Sequence, residues 1–482
     1  MQKPILVLMS NALRLADNAA LAEAASSGVP VILVCIFDEQ SPNVRPLGGA
    51  SKWWLLQSLK SLSTRLDGLG SKLIVRKGGA VETVQNLVAE TDAGAVHLMR
   101  GYTPAARALE GALHEAYADT DVRLRRFAGN LLLEPEAVRT KTGNPYTVFS
   151  PFWRAASDLI DTVEPQAAPR ELTAPDVWPA SDGIESLGLE PKPAYWADPI
   201  AATWTPGEAA ALERLQLFLD GPVADYKAAR DFPAIDATSA LSPHLAFGEI
   251  GPRTIWWQTK QRMAAEDRIS GGCAHFLREL GWREFSSHLL FNQPHMQTEP
   301  MRDQFRAFPW VEGDGEFLTA WQKGQTGFPI VDAGMRQLWQ TGWMHNRVRM
   351  IVASFLVKDL LWHWRDGEAW FWDTLVDADF GNNIASWQWV AGCGADAAPY
   401  FRIFNPITQG EKFDPKGDYV RKYVPELAEL PNEYIQKPFE APVGVLQMAG
   451  VKLGSTYPKP IIDRKIAREK ALAALASIKK PD

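Results

Sequence analysis

Short apolar runs alternate with amphipathic segments along the first part of the chain. The runs are ILVLM (5–9), VILVCIF (31–37), KLIVRK (72–77), AVHLM (95–99) and VRLRRF (122–127). Between them lie helical patterns such as WWLLQSLKSLSTRLDGL and AARALEGALHEAYA. Parallel strands need crossover helices, so this alternation predicts a doubly wound, Rossmann-like parallel sheet. We therefore predict an α/β N-terminal domain over residues 1–135.

The hydrophobic pattern changes after this domain. Residues from about 162 to 206 are rich in Pro, Ala and Asp, which is typical of an extended connector, and we predict a linker over residues 136–205. The remaining chain has helical periodicity, with long segments at 268–291, 331–341, 345–364 and 367–376. The sequence thus predicts an all-α C-terminal domain over residues 206–482.

Composition narrows the class of protein. The 482 residues are 46% hydrophobic and 22% charged, with a formal net charge of -7, so a nucleic-acid partner would need a local basic patch. Three scattered cysteines indicate a reducing compartment. The first apolar run is too short for a signal peptide, and no run approaches about 18 residues. We expect a cytoplasmic protein without membrane association.

Sequence motifs for the commonest phosphate and metal sites are missing. No GxGxxG follows the first strand, and no GxxxxGK[ST] occurs, so the N-terminal domain is not an obvious dinucleotide or ATP site. The acidic residues have no His at ligand spacing, and HExxH is absent. We expect no metal.

Six clusters in the helical half mix polar, charged and aromatic residues. They are YKAARDFP (226–233), TSALSPHLAFGEI (238–250), FLRELGWREF (276–285), TGWMHNRVRM (341–350), DADFGNNIASWQW (377–389) and APYFRIFNPITQGEKFDP (398–415). Singly, each has an ordinary explanation. TSALS before Pro reads as a helix N-cap, whose amides could also bind phosphate. Glu279 and Arg283 could form a surface pair, although Trp282 between them suggests a buried carboxylate that needs a partner.

The segment TGWMHNRVRM continues into a long apolar run and raises the question of what its helix faces. Asn346 and Met350 are four residues apart and share one helix face, while Arg349 points elsewhere. DADFGNNIASWQW combines acids, amides and indoles, which suits a planar ligand with polar edges. The 19 tryptophans, most of them after residue 250, indicate either core filling or a flat ligand.

These clusters, in this order, resemble the photolyase/cryptochrome flavoprotein family over essentially the whole chain, most specifically between residues 221 and 415. The resemblance is to the class I and class III side of the bacterial cyclobutane pyrimidine dimer photolyases. It implies a U-shaped FAD in the helical domain. The implied FAD contacts are Tyr226, Thr238, Ser239, Ala240, Leu241, Ser242, Phe276, Arg349, Asp377, Asp379 and Asn383.

Two of these implied contacts concern the flavin ring. Arg349 and Asp377 would form an ion pair beside the isoalloxazine. Asn383 matches the position facing flavin N5, where plant-type cryptochromes carry Asp. An amide cannot pass a proton to N5, which favours the anionic hydroquinone and looks like the photolyases.

The resemblance also implies the activity, that of a deoxyribodipyrimidine photo-lyase. Excited reduced FAD would pass an electron to a flipped pyrimidine dimer in UV-damaged DNA, and the cyclobutane ring would open. The implied lesion pocket consists of Glu279, Trp282, Asn346, Met350 and Trp389. Trp387, Trp364 and Trp310 match the family's electron-transfer chain from flavin to surface. The implied DNA contacts are Arg230, Arg283, Arg347, Arg402 and Gln409.

The chain departs from the family pattern at the antenna site and at one lesion-pocket neighbour. The family signature after the first strand is commonly Trp-Phe-Arg-x-x-Leu-Arg, whereas this chain has Leu8, Met9, Ser10, Asn11, Ala12, Leu13 and Arg14. Ala106 stands where some relatives have a folate-binding Glu, although Trp53 and Trp54 offer aromatic surface. Methenyltetrahydrofolate, a deazaflavin or no antenna are the alternatives. Ser286 replaces a frequent aromatic residue beside the lesion pocket.

Three other functions compete with dimer repair. A blue-light sensor without repair activity is the main alternative, but such sensors often have long C-terminal extensions, whereas this chain ends at Asp482 and keeps the lesion-pocket set. Repair of the (6-4) photoproduct is disfavoured because relatives with that activity use a His pair at the lesion. His345 is present, but Asn346 and Met350 match the dimer-type pattern. An FAD enzyme that works in the dark, such as an oxidase, is disfavoured further because the sequence has no Rossmann fingerprint. We expect a monomer.

Overall fold

The computed structural model describes residues 2–10, 12–397 and 401–478. The chain divides into two compact units, each made of several segments. Unit 1 comprises Met1–Ala224, Ser239–Pro294 and Val376–Gly381. Unit 2 comprises Asp225–Thr238, His295–Leu375 and Asn382–Asp482. The boundaries predicted at residues 135 and 205 stay a prediction.

Unit 1 contains a five-stranded parallel sheet, which confirms the predicted α/β fold. The strands are β1 (Ile5–Leu8), β2 (Val31–Phe37), β3 (Leu73–Lys77), β4 (Ala95–Met99) and β5 (Arg123–Phe127). Their order is β3-β2-β1-β4-β5, and Ile5 of β1 lies opposite Val31 on one side and Ala95 on the other. Successive side chains of a strand point to opposite faces, so Val7 and Leu33 enter one apolar core while Leu6 and Ile32 enter the other.

Helices cover both faces of the sheet and extend unit 1. They are α1 (Ala19–Ser26), α2 (Gly49–Asp67), α3 (Ala80–Thr91), α4 (Pro104–Tyr117), α5 (Phe149–Ser157), α6 (Ala197–Thr203) and α7 (Glu208–Asp220). The side chains of Asn18 and Thr103 accept backbone N–H groups at the starts of α1 and α4, as N-caps do. The predicted linker over residues 136–205 contains α5 and α6.

The rest of the described chain is helical, which confirms the all-α prediction. The remaining helices are α8 (Tyr226–Ala229), α9 (Ser242–Ala246), α10 (Pro252–Ala265), α11 (Ser270–Asn292), α12 (Glu316–Gln322), α13 (Pro329–Thr341), α14 (Asn346–Ser354), α15 (Trp364–Thr374), α16 (Phe380–Ala391), α17 (Pro406–Phe413), α18 (Asp418–Tyr423), α19 (Val443–Met448) and α20 (Arg464–Ser477). None of the described helices is long and apolar enough to cross a membrane.

The continuous helix predicted over residues 345–364 is wrong. Helix α14 passes into a π-helical turn, Phe355–Asp359, and the chain then turns at Leu361, whose φ is 57°. Trp362 forms an isolated bridge with Val311 before α15 begins. The interruption is tertiary in origin, because Val311 N–H donates to the Leu361 carbonyl and His363 N–H to the Val311 carbonyl, both at 2.8 Å. No Gly or Pro marks the break in the sequence.

Candidate functional site

The predicted site residues divide between the two units. Unit 1 holds Ser239, Ala240, Leu241, Ser242, Phe276, Glu279, Trp282, Arg283, Asp377 and Asp379. Unit 2 holds Tyr226, Arg230, Thr238, Trp310, Asn346, Arg347, Arg349, Met350, Trp364, Asn383, Trp387, Trp389, Arg402 and Gln409.

A backbone cradle lies before α9 in unit 1. Ala240 has a left-handed φ of 47°, which is uncommon for a residue other than glycine, and Leu241 follows in the right-handed region. Successive residues of opposite hand turn their N–H groups to one side and form a concavity that binds anions. The residues present therefore fit a phosphate group of FAD.

The N-cap interpretation of TSALS is wrong. Helix α9 begins at Ser242, and no side chain caps it. Instead the Ser242 hydroxyl donates a hydrogen bond of 2.6 Å to Asp377 Oδ2. The structure thus joins two predicted flavin residues that are 135 positions apart. A Cβ atom at Gly381 would lie 3.6 Å from Asp379 Oδ1 and 3.4 Å from the Ser286 carbonyl oxygen, which places the segment with both aspartates against α11.

Helix α11 carries the unit 1 residues of the predicted lesion pocket. Glu279 keeps 29% of its side chain exposed and lies 3.8 Å from His275 Nε2. The Trp282 ring stacks on Phe149 at a centroid distance of 3.6 Å and an interplanar angle of 9°, so its orientation is fixed. Ser286 is buried and donates to the Trp282 carbonyl at 3.0 Å, which satisfies its hydroxyl within the helix.

Arg283 and Glu284 tie α11 to the loop after β5. Arg283 Nη1 donates to the Asn130 carbonyl at 3.1 Å and lies 3.6 Å from Glu284 Oε1. Glu284 Oε2 accepts the N–H groups of Leu132 and Leu133. Burial raises the pKa of Glu284 to about 7. The described contacts of Arg283 therefore hold a loop, and its predicted contact with DNA stays a prediction.

Helix α14, which the segment TGWMHNRVRM predicted, presents an accessible polar start. Asn346 is exposed, and Arg349 and Met350 are half-buried, so none of the three is sealed in packing. His345 caps the helix, since its Nδ1 accepts the Arg347 N–H at 3.2 Å. Burial lowers the pKa of His345 to about 4, which keeps the imidazole neutral. Arg349 Nε donates to the Met344 carbonyl at 2.7 Å.

Two predicted DNA-contacting arginines of unit 2 lie on aromatic rings. Arg347 Nη2 forms a 2.8 Å ion pair with Asp231, and its guanidinium lies 4.4 Å from the centre of the Phe413 ring. Arg230 lies 5.2 Å from the ring of Tyr226, which is buried. Aromatic faces hold such cations in place without neutralising them.

The other two predicted DNA contacts, Arg402 and Gln409, are at least partly accessible. Arg402 is exposed, and Gln409 is half-buried on α17. Lys358 Nζ donates to the Arg402 carbonyl at 3.2 Å and lies 3.4 Å from the centre of the Phe401 ring. Burial lowers the pKa of Lys358 to about 7. The first three residues of the predicted cluster 398–415, and Asn11 of the N-terminal signature, lie outside the described residues.

Asn383 is oriented by a residue that the sequence analysis missed. Its Nδ2 donates to the Glu368 carbonyl at 3.1 Å and to Glu368 Oε1 at 2.7 Å. Because the NH₂ group is engaged, the amide turns its oxygen in the opposite direction. Glu368 gives no signal in the sequence, since nothing sets it apart from the other acidic residues of the same helical pattern, Asp366 and Asp373. The oriented amide oxygen fits a hydrogen-bond donor on a ligand.

The predicted electron-transfer tryptophans occupy unit 2. Trp364 and Trp387 are 1% and 2% exposed, and Trp310 is half-buried. A methyl group at Gly367 would overlap the Trp387 ring, so Trp387 packs on α15 one turn after Trp364. Trp310 and Trp364 both line a groove of about 460 Å³. Trp389 Nε1 donates to the Asp396 carbonyl at 3.2 Å.

The antenna residues of the sequence analysis are mostly buried. Trp53 and Trp54 are 5% and 0% exposed, so the aromatic surface expected from them is not available. Trp54 Nε1 donates to the buried Glu249 at 3.2 Å, because α2 turns this side chain inward. A cleft of about 120 Å³ follows β1 and β4 and is lined by Arg14, Arg100 and Tyr102. Sites for drug-sized ligands span roughly 300–1,000 Å³, so this cleft gives no support to an antenna chromophore there.

Comparisons with known proteins agree over nearly the whole chain. Residues 5–171 match the DNA photolyase family, and residues 276–477 match the FAD binding domain of DNA photolyase. The chain is 51% identical over 479 residues to the deoxyribodipyrimidine photo-lyase of Agrobacterium fabrum, covering 99% of this chain and 98% of that protein. It is 38% identical to Cryptochrome-2 of Arabidopsis thaliana, covering 99% of this chain and 79% of that protein.

Solved structures show the same relationship. The crystal structure of a bacterial class III photolyase from Agrobacterium tumefaciens superposes with a TM-score of 0.95 at 50% identity, covering 100% of this chain and 98% of that one. A cryptochrome from Synechocystis sp. superposes with a TM-score of 0.88 at 29% identity, covering 98% of this chain and 100% of that one. The chain therefore belongs to the photolyase/cryptochrome family.

Proposed function

We propose that the chain is a deoxyribodipyrimidine photo-lyase, which uses light to split a cyclobutane pyrimidine dimer in UV-damaged DNA into two pyrimidines. The observation that carries the proposal is the 51% identity, over almost the whole of both chains, to an enzyme of that name. The accessible polar start of α14 and the exposed part of Glu279 support it, because a lesion pocket must open to its substrate.

The cofactor is FAD, which supplies the light-excited electron donor when it is bound in its reduced form. The backbone cradle at Ala240 and Leu241 would bind its phosphates and ribose, together with Thr238, Ser239 and Ser242. Further contacts are assigned to Tyr226, Phe276, Arg349, Asp377, Asp379 and Asn383. Glu368 holds the Asn383 NH₂ group, so the amide can only accept a hydrogen bond at the flavin N5 edge.

The residues of the lesion pocket bind and orient the dimer. Trp282 and Trp389 would supply apolar walls for the two fused pyrimidine rings, and Met350 would fill the remaining space. Glu279 and Asn346 would hydrogen-bond the carbonyl and imide edges, where negative charge develops once an electron arrives. Flipping the lesion out of the duplex costs a few kcal/mol, and least for a damaged base.

The DNA backbone would be contacted by Arg230, Arg347, Arg402 and Gln409, and Arg283 is a further candidate for such a contact.

When bound FAD is oxidised, it would be photoreduced by an electron that passes inward along Trp310, Trp364 and Trp387. We also assign the protein to the cytoplasm, which the three buried, unpaired cysteines support because free thiols are typical of a reducing compartment. We expect it to be a monomer.

Repair is tested by chemically reducing the purified holoprotein, adding an oligonucleotide with one thymine dimer, and illuminating it with blue light. We expect intact thymines after illumination and none in the dark. An unchanged dimer with fully reduced flavin would contradict the proposal and leave the blue-light sensor as the function.

A pair of variants tests the pocket by measuring how tightly the holoprotein binds the same dimer-bearing oligonucleotide in the dark. Asn346→Ala removes one hydrogen bond to the dimer and is expected to weaken its binding by up to about tenfold. Gln340→Ala, at an exposed position on the preceding helix, serves as the control and should bind like the wild type.

A further inference from the structure

An imidazole ring lies between two of the tryptophans of unit 2. The centroid of the His363 ring is 5.5 Å from that of Trp310, at an interplanar angle of 62°, and 5.6 Å from that of Trp364, at 33°. His363 therefore contacts both indoles, the buried one and the half-buried one. Nothing in the sequence pattern singles out this histidine as a contact of the two indoles.

The backbone holds the three rings in register. The chain around Trp310 and the chain around His363 are joined by the bridge between Val311 and Trp362. Trp362 Nε1 adds a hydrogen bond of 3.2 Å to the Gly313 carbonyl. The His363 Nδ1 accepts the Arg365 N–H at 3.0 Å, which caps α15 and fixes the imidazole. The ring is thus held at both its backbone and its side chain.

The proton of the imidazole is placed by the same contacts. Since Nδ1 accepts a hydrogen bond, the neutral ring carries its proton on Nε2. Burial lowers the pKa of His363 to about 4, with Arg365 adding to the effect and Glu312 opposing it. Among the charged groups, Glu312 lies 4.0 Å from Nε2, Glu299, Arg306 and Arg365 line the same groove, and Asp366 lies in the first turn of α15. His363 is therefore uncharged at neutral pH.

We propose that His363 is a neutral bridging ring that couples Trp364 to Trp310 in the photoreduction path, an inference that rests on the proposed function. The step is the transfer of one electron from the Trp310 indole, by way of the His363 ring, to a Trp364 radical cation. Trp364 returns to its closed-shell indole, and Trp310 becomes the radical cation. No bond forms or breaks, and no proton moves. Oxidised, light-excited FAD is the initial oxidant, and a thiol in solution restores Trp310.

Neutrality matters because the ring is nearly equidistant from both indoles. A fixed positive charge about 5.5 Å from an oxidised indole disfavours that radical cation by on the order of a hundredfold in population, at the effective dielectric of a protein. With a positively charged residue at position 363, the radical cation would therefore stay on Trp387 and would not move to Trp364 or Trp310. A neutral ring permits the transfer and fills the space between the indoles with a conjugated group.

Two substitutions separate the bridge from the helix cap. His363→Asn keeps an N-cap side chain but removes the ring, and His363→Lys adds a permanent charge. In transient absorption of the holoprotein, we expect the Trp310 radical to appear at least about tenfold more slowly in His363→Asn. We expect its yield to fall on the order of a hundredfold in His363→Lys. His114→Asn, at an exposed position on α4, is the control and should match the wild type.

A second readout does not depend on photochemistry. The ring protons of His363, followed by NMR in the holoprotein, should titrate far below the ordinary histidine value of about 6.5, close to 4. Titration at about pH 7 or above would overturn the claim that the ring is neutral at neutral pH.

The kinetic outcomes are also decisive. Wild-type kinetics in His363→Asn, with slow kinetics in Trp310→Phe, would overturn the bridging role. Wild-type kinetics in Trp310→Phe would overturn it as well, because Trp310 would then not be part of the electron-transfer path. Repair by the chemically reduced wild type tests the proposed function separately, since it does not require photoreduction.

Discussion

At the scale of single residues, the partner of a charged group decides what that group can do. Arg347 is a predicted phosphate contact, yet its guanidinium forms an ion pair with Asp231. Glu368 has no role in the sequence analysis, yet it orients the amide of Asn383. The residue types of Arg347 and Asn383 were informative, but the sequence did not show which carboxylate each side chain contacts. A role assigned to a side chain alone is therefore incomplete.

The ion pair of Arg347 leads to a prediction about affinity. Replacing Asp231 with Asn removes the competing carboxylate, so binding to DNA should strengthen by about threefold, in line with the worth of a partly exposed pair. Arg347→Ala should weaken it. The measurement is fluorescence anisotropy of a labelled duplex at fixed salt. Asp236→Asn, in the same segment and exposed, is the control, and weaker binding by the Asp231 variant would count against a DNA contact at Arg347.

At the scale of elements, helix ends and helix faces carry most of the information. Two helices, α14 and α15, begin in the same way, with a histidine whose Nδ1 accepts the N–H of an arginine two residues later. The repeated His-x-Arg spacing was visible in the sequence, but its capping role was not. The reason is that histidine is not among the residues that usually cap helices.

The buried cap at His345 predicts a pH dependence of stability. Its folded-state pKa, about 4, lies below the unfolded value near 6.5, so its contribution is complete above 6.5 and is lost as the pH falls towards 4. Between pH 7 and pH 5 the loss is about 2 kcal/mol. His345→Asn keeps the cap and should lose about 2 kcal/mol less over this range in urea unfolding. His295→Asn, at an exposed position, should retain the wild-type loss.

The packing of Trp387 on α15 predicts an unusual result for a glycine in a helix. Ala normally stabilises a helix interior by about 0.5–1 kcal/mol relative to Gly. At Gly367, however, the added methyl would overlap the Trp387 ring, and overpacking costs about 1–3 kcal/mol. Gly367→Ala should therefore lower the free energy of unfolding measured in urea.

Gly271 is the matched control, since a methyl there meets no atom within 4 Å. Gly271→Ala should stabilise the protein in the same measurement. Equal stabilisation by both substitutions would show that Trp387 does not pack on Gly367.

At the scale of the whole molecule, the net charge disfavours binding to DNA, whereas the charge of the proposed DNA contacts favours it. The chain carries -7, but the proposed DNA contacts Arg230, Arg347 and Arg402 are cations. Binding to phosphates depends on local cations and on the counterions they release. The acidic total therefore limits nonspecific binding without forbidding a specific DNA site.

Salt dependence measures the number of phosphate contacts. Three arginine contacts should give a slope of log K against log salt near -3, from roughly -0.9 per phosphate. Removing Arg402 should reduce the slope by about 1 and weaken all DNA sequences equally. A titration of a duplex with the wild type and Arg402→Ala provides the test. A slope near zero would show that these arginines do not meet phosphates.

Periodicity and motif order determined much of this protein without coordinates. The alternation of apolar runs and helical patterns was enough for the parallel sheet, because strand and helix periods depend on near neighbours in the chain. The order of the clusters after residue 221 was enough for the family and its cofactor. Each strand, helix or motif cluster is a short stretch of neighbouring residues, so it can be recognised in the sequence without coordinates.

Tertiary structure alone decided the points where distant segments meet. The pairing of Val311 with Trp362 ends a helix whose pattern has no breaker, and the burial of Trp53 and Trp54 removes an expected aromatic surface. The Ser242 hydroxyl donates to Asp377, 135 positions away, and His363 lies between two indoles. These contacts form only when folding brings distant segments of the chain together, so no local sequence pattern predicts them.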